Sequence, residues 1–134
     1  MKIHTDGFDL KLLPARQRDE EDWARVLISV SVTGFTGEFE AWIQVEDLRR
    51  FSVEMAHLYE NAGQGGEARL VSAEPDINVH LRINQRGHIQ AVYSFESERI
   101  EGVPTVLSGR FEMDQSYLPE VRRSVNELIA ELLL

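Results

Sequence analysis

Residues Trp23 to Tyr59, WARVLISVSVTGFTGEFEAWIQVEDLRRFSVEMAHLY, carry two periodicities in succession. In the first part Val26, Ile28, Val30 and Val32 alternate with Ser29, Ser31 and Thr33, the period of an extended chain with one face buried. Gly34-Phe35-Thr36-Gly37 interrupts this pattern. A second alternation then sets Phe39, Ala41, Ile43 and Val45 against Glu38, Glu40, Trp42 and Gln44, so the two runs read as a hairpin. From Leu48 the spacing lengthens to Leu48, Phe51, Met55, Leu58 and Tyr59, the stripe of a helix lying on a core. Asp47 is its expected N-cap, because a carboxylate there accepts from an unpaired amide of the first turn. Asn61-Ala62-Gly63-Gln64-Gly65-Gly66 is its expected end, since glycine tolerates the left-handed backbone that closes a helix.

Upstream, Phe8 to Leu13 alternates and stops at Pro14, as a short edge strand does. The charge run Arg16-Gln17-Arg18-Asp19-Glu20-Glu21-Asp22 has no periodicity and reads as a solvated loop. Downstream, Ala68 to Val71 is an expected strand and Glu74-Pro75-Asp76 a turn. Ile77, Val79, Leu81 and Ile83 then alternate with Asn78, His80, Arg82 and Asn84. After Gln85-Arg86-Gly87 the alternation resumes with Ile89, Ala91, Tyr93 and Phe95 opposite His88, Gln90, Val92 and Ser94. Glu96 to Pro104 is an acidic loop and Thr105 to Met113 a further strand. Leu118, Val121, Val125, Leu128, Ile129 and Leu132 repeat the helical stripe, capped by Asp114 or Ser116 with Pro119 in the first turn.

These elements predict an α+β fold in one domain over residues 1–134, in the order β-β-β-α-β-β-β-β-α. The expected core is an antiparallel sheet of about six to seven strands with both amphipathic helices packed on one face and the other face open. Strands followed by a helix, twice over, hints at duplication, but the strand sequences do not match well enough to establish it.

The chain has 134 residues, of which 28% are charged, and a formal net charge of −9. That charge repels a phosphate backbone, so no nucleic-acid partner is expected; a basic protein partner suits it better, and it also serves solubility. The absence of cysteine excludes disulfides, thiolate nucleophiles and cysteine-based metal sites. The longest apolar run, Val26 to Val32, is too short to cross a bilayer. Met1-Lys2-Ile3-His4-Thr5-Asp6 does not resemble a secretory signal, which leads us to expect a cytoplasmic protein with no membrane association.

Catalytic signatures are sparse. His4, His57, His80 and His88 are scattered without metal-ligand spacing. His80 and His88 lie on the polar sides of adjacent strands, where with Arg82 and Arg110 they form the best polar cluster, and Glu112 is the only further metal ligand to suggest. Two histidines beside a hairpin turn read first as plain surface residues. The Asp19 to Asp22 run and the Glu96, Glu98 and Glu101 loop offer carboxylates without a scaffold to separate their pKa values. Ser29, Ser31, Ser72, Ser94 and Ser108 sit in no nucleophile elbow. Gly63-Gln64-Gly65-Gly66 follows a helix, whereas a phosphate-cradling loop precedes one. We expect no catalytic residue, no metal and no cofactor. Trp42 is more informative, because it shares a face with Glu38, Glu40 and Gln44: an aromatic ringed by acids has the form of an interface anchor, unless the Asp19 to Asp22 loop covers it or it belongs to a second small core, the reading favoured by residue type alone.

Four segments resemble a known family: Phe35-Thr36-Gly37-Glu38-Phe39-Glu40-Ala41-Trp42-Ile43; Leu48-Arg49-Arg50-Phe51 with Leu58-Tyr59; Arg86-Gly87-His88-Ile89; and Phe111-Glu112-Met113-Asp114-Gln115-Ser116-Tyr117-Leu118. Together they are similar to the small bacterial WapI-type immunity proteins over nearly the whole chain. The resemblance implies a cytoplasmic protein that neutralises a secreted toxin by binding it, without catalysis of its own. An acidic surface would suit a basic, nuclease-type toxin domain. Two other readings stand beside it: a small-ligand module using His80, Arg82, His88 and Arg110, and a structural subunit that self-associates, for instance as a homodimer, through its open sheet face.

Overall fold

The computed structural model describes residues 1–61, 63–72, 76–97 and 103–134. Eight strands and two helices follow one another as β1 (Lys2–Thr5), β2 (Phe8–Arg16), β3 (Trp23–Val32), β4 (Phe35–Gln44), α1 (Val45–Glu60), β5 (Gly66–Val71), β6 (Ile77–Ile83), β7 (His88–Glu96), β8 (Val106–Asp114) and α2 (Leu118–Leu132), with a 3-10 turn at Gln115–Tyr117 before α2. All strand pairs are antiparallel. The α+β class is as expected, but there is not one sheet carrying both helices on a single face: the strands form two four-stranded sheets, β1-β2-β3-β4 and β5-β6-β7-β8. An alternating pattern specifies which side of a strand is apolar and is silent on what covers it, and here the two apolar faces and both helices share one hydrophobic cluster.

The element order is accordingly four strands, a helix, four strands and a helix. The strand added to expectation is β1, turned into β2 at Gly7, whose φ of 77° suits glycine. It makes β2 an inner strand rather than an edge. Pro14 is tolerated because β1 pairs only with Phe8 to Lys11, so no neighbour asks for the proline's missing N–H, and the β2–β3 register shifts beyond it. Phe35 to Gly37 do not break the strand either. The turn is confined to Thr33-Gly34, where Gly34 has a φ of 87°. The expected turn at Glu74-Pro75 and the acidic residues Glu98 and Glu101 lie outside the described residues.

The two sheets meet through aromatic rings. Phe8 of β2 stacks on Phe111 of β8 with centroids 4.1 Å apart and planes 9° from parallel, and it touches Tyr93 of β7 at 4.7 Å. α1 runs along β5 and against α2, while α2 also reaches β1 and β2. Phe51 and Met55 of α1 are fully buried, each worth about 1.5–3 kcal/mol relative to exposure. Two long-range hydrogen bonds tie the chain's extremities together: the Lys2 N–H donates to Ser124 Oγ at 2.9 Å, and the Arg18 N–H to the Leu132 carbonyl at 3.0 Å.

The start of α1 differs from expectation by one turn. Gln44 is the N-cap, and Asp47 occupies the third helical position, where its carboxylate accepts the Gln44 N–H at 3.2 Å and an Arg50 N–H at 3.0 Å. A second carboxylate comes from outside the helix: Asp22 accepts the Glu46 N–H at 2.9 Å. At the other end of the chain Pro119 stands in the first turn of α2, as the sequence predicts, but neither Asp114 nor Ser116 caps that helix: its N-cap is Tyr117, and the Asp114 carboxylate instead caps the 3-10 turn before it, accepting the Ser116 N–H at 2.8 Å.

Candidate functional site

β4 places Glu38, Glu40, Trp42 and Gln44 along the outer face of the first sheet, away from the buried Ala41 and Ile43. The register builds cross-strand rows from there. Arg16, Arg25 and Trp42 are successive partners across β2, β3 and β4, and Leu13, Leu27 and Glu40 form the next row. Trp42 is half-buried, and two guanidinium groups account for its cover. The carbon of Arg25 lies 5.0 Å and that of Arg16 5.9 Å from the ring centroid, within the range of cation–π attraction. Arg25 also donates to the Glu40 carboxylate at 2.6 Å.

Trp42 is therefore framed by arginines as well as acids. Arg16, which the sequence placed in a loop, belongs to β2. Leu13 is 43% exposed and extends the apolar strip. Tryptophan, arginine and leucine side by side, with a carboxylate holding one guanidinium in place, make a surface able to fill a partner's pocket and satisfy its polar rim. Glu38 stands exposed beyond this cluster. The Gln44 amide turns toward the acidic loop and donates to the Glu21 carbonyl at 3.2 Å.

That loop is exposed, as its reading as solvated charge has it, but its acids do have an internal scaffold. The Asp19 carboxylate accepts the N–H groups of Glu21 and Trp23 at 2.9 and 3.0 Å, Arg18 donates to Asp22 at 3.3 Å, and Asp22 has a φ of 67°. Its exposed acids Glu20 and Glu21 are thus presented next to the Trp42 end of the sheet.

The other expected cluster divides in two. On the outer face of the second sheet, Glu67 of β5 gathers Arg82 at 3.0 Å, His80 at 3.4 Å and Arg69 at 3.6 Å. The hydrogen bond from Arg82, with the charges of His80, Arg82 and Arg69, holds the Glu67 carboxyl below its ordinary range despite an opposing desolvation. His88 sits two strands away beside Glu112, at 3.4 Å. Arg110 lies in a third place, in the cross-strand row Arg69, His80, Val92, Arg110. Arg69 was missed in the sequence, though its place opposite His80 follows from the β5–β6 register. Among the described residues no group of three or more His, Asp or Glu side chains is arranged to hold a metal ion, so His88 and Glu112 meet without His80.

A groove of about 550 Å³ runs between α1 and α2, lined by Met55, Tyr59, Leu118, Arg122 and Ala130 among others. Two of its lining residues, Asn126 and Arg122, meet at Ser52 of α1, which donates to Asn126 at 2.8 Å and accepts from Arg122 at 3.3 Å. No helix among the described residues is long and apolar enough to cross a membrane.

A model of the immunity protein WapI-like family matches residues 1–133 of the chain. A comparison with curated proteins finds no match.

Proposed function

Because the chain belongs to the immunity protein WapI-like family over essentially its whole length, we propose that it is a non-catalytic binding protein that neutralises a basic toxin domain, acting in the cytoplasm. The binding surface in this reading is the outer face of β1–β4, with Trp42 as anchor and Glu38, Glu40 and Gln44 as the polar residues around it. The observation that carries it is the framing of Trp42: a half-buried indole with the guanidinium groups of Arg25 and Arg16 against its ring, and Glu40 fixing the first of them. Such a side chain is pre-organised, so little conformational entropy is lost when a partner covers it. The exposed acids Glu20, Glu21 and Glu38 beside it and the net charge of −9 favour a basic partner and fast encounter.

The test is capture of a toxin domain encoded next to this chain's gene, using wild type, Trp42→Ala and the pair Glu38→Lys with Glu40→Lys. Retained capture by wild type and its loss in both variants is the expected result. Equal capture by all three would remove the Trp42 face from the reading, and failure of wild type to bind any such domain at low salt would remove the toxin.

A further inference from the structure

Each sheet has two edge strands. β1 is only four residues long, α1 runs along β5, and β8 touches β1 over a short stretch. β4 is the longest of the four edges. It is ten residues long, has no proline or lysine, shows no register shift against β3, and pairs on one side only among the described residues. A long, regular and unprotected edge is a template for another strand.

The direction of its free groups follows from the ladder. Val45, the residue after β4, donates its N–H to the Asp22 carbonyl at 3.3 Å and so continues the pairing with β3. Antiparallel pairing alternates, so Ile43, Ala41, Phe39, Gly37 and Phe35 also turn their N–H and C=O groups to β3. Thr36, Glu38, Glu40 and Trp42 turn theirs outward. The two-residue turn at Thr33-Gly34, closed by the Val32–Phe35 pair, gives the same parity. The same residues that display Glu38, Glu40 and Trp42 on the outer face therefore also present unpaired backbone at the edge.

We infer that β4 takes up an extended segment of the basic partner as a fifth strand, a segment in which basic and apolar residues alternate. The inference rests on the binding role proposed above and names how the partner is held. Residues of the added strand opposite Glu38 and Glu40 fall on the acidic side. The residues between them fall on the other side, where the 67% exposed Phe35 and half-buried Phe39 open onto a cleft of about 460 Å³ with Phe95, Val106 and Leu107. Backbone bonds supply affinity and the alternate side chains supply selectivity. A second copy of this chain is a poor occupant: antiparallel β4 pairing about Phe39 sets Glu38 against Glu40 of its copy, and like charges directly opposite repel.

The experiment uses a synthetic peptide of about nine residues alternating lysine and valine, one of identical composition with the lysines and valines in two blocks, and one alternating glutamate and valine. Residue-resolved amide exchange is followed in wild type, Thr36→Pro and Thr36→Val. Thr36→Pro removes one outward N–H without touching the β3 ladder. The expected result is that the alternating lysine peptide slows exchange at Thr36, Glu38, Glu40 and Trp42 at least tenfold, that the other peptides do not, and that Thr36→Pro but not Thr36→Val weakens its binding by tenfold or more. Binding of the block peptide with equal strength, binding without slowed exchange at these amides, or wild-type binding by Thr36→Pro would overturn it. Slowed exchange at these amides without peptide, growing with protein concentration, would assign the edge to self-pairing and overturn it as well. Toxin capture that depends on Trp42 and ignores Thr36→Pro would leave the proposed function standing and remove only the edge; slowed exchange with peptide but no toxin captured would do the reverse.

Discussion

Gly109 faces Tyr93 across β7 and β8, and a Cβ added to it would lie 2.5 Å from the Tyr93 hydroxyl oxygen and 2.8 Å from the ring carbon that bears it. Tyr93 is 4% exposed and packs against Phe8, Phe95 and Phe111, so the ring has little room to retreat. Gly109→Ala is expected to destabilise the protein by about 1–3 kcal/mol, the usual cost of overpacking. In a urea titration Tyr93→Phe, which removes the closest atom, should recover part of that loss. Additive effects of the two substitutions would mean that the ring moves aside freely.

The contact between the sheets should appear as a coupling. Phe8→Leu and Phe111→Leu, combined in a double-mutant cycle, are expected to show about 0.5–1.5 kcal/mol of interaction beyond the sum of their separate costs, as offset aromatic pairs do. A value near zero would mean that the rings contribute through area alone.

Asp22 combines a left-handed backbone with a helix cap. Asp22→Ala loses the bond to the Glu46 N–H and keeps the strain, for an expected cost of about 1–2 kcal/mol. Asp22→Gly loses the same bond but adopts a φ of 67° without strain, so its midpoint in urea should lie between those of wild type and Asp22→Ala.

The acid limb of stability has named contributors. The Arg82 hydrogen bond lowers the Glu67 pKa, and the Ser116 backbone N–H lowers that of Asp114. In both cases the folded value lies below the unfolded one, so the unfolded chain binds more protons in the interval between them. The associated stability is complete above the unfolded carboxylate pKa and is lost as pH falls through the depressed folded values. Glu67→Gln with Asp114→Asn should flatten this limb in urea titrations below neutral pH, and an unchanged slope would exclude both groups.

Association with a basic partner should depend on salt. Raising sodium chloride from roughly 0.05 M to about 0.5 M shortens the screening length severalfold, and is expected to slow the association rate while changing the dissociation rate much less. Stopped-flow measurements on the captured toxin domain separate the two.

Most of the elements are legible in the amino-acid sequence because each buried strand alternates and each helix carries a continuous stripe. β1 escaped because only Ile3 and its neighbours Met1 and Thr5 are buried in a run of few residues, too short for periodicity to register. The division into two sheets escaped because nothing in the alternation of β5 to β8 says whether they extend the first sheet or face it; the Phe8–Phe111 stack joins residues far apart in the chain. The site was half legible. Glu38, Glu40, Trp42 and Gln44 share a face as expected, whereas the arginines over Trp42 come from two other strands and become visible only once the hairpin register and the extent of β2 are fixed. The histidine cluster separated for the same reason, since polar-face membership does not reveal which row of the sheet a residue occupies.

The bonds that join Lys2 to Ser124 and Arg18 to Leu132 also carry a consequence for synthesis. A ribosome releases the first four strands and α1 well before α2 exists, and until then the surfaces that α2 will cover on β1, β2 and α1 remain wet. The contacts of α2 with β1 and β2 close a loop spanning most of residues 1–134, so they form only after the residues between them have been made. A growing chain would thus spend its time on the ribosome as an unprotected intermediate, and a translational pause before Leu118 would lengthen the period in which chaperones or proteases decide its fate.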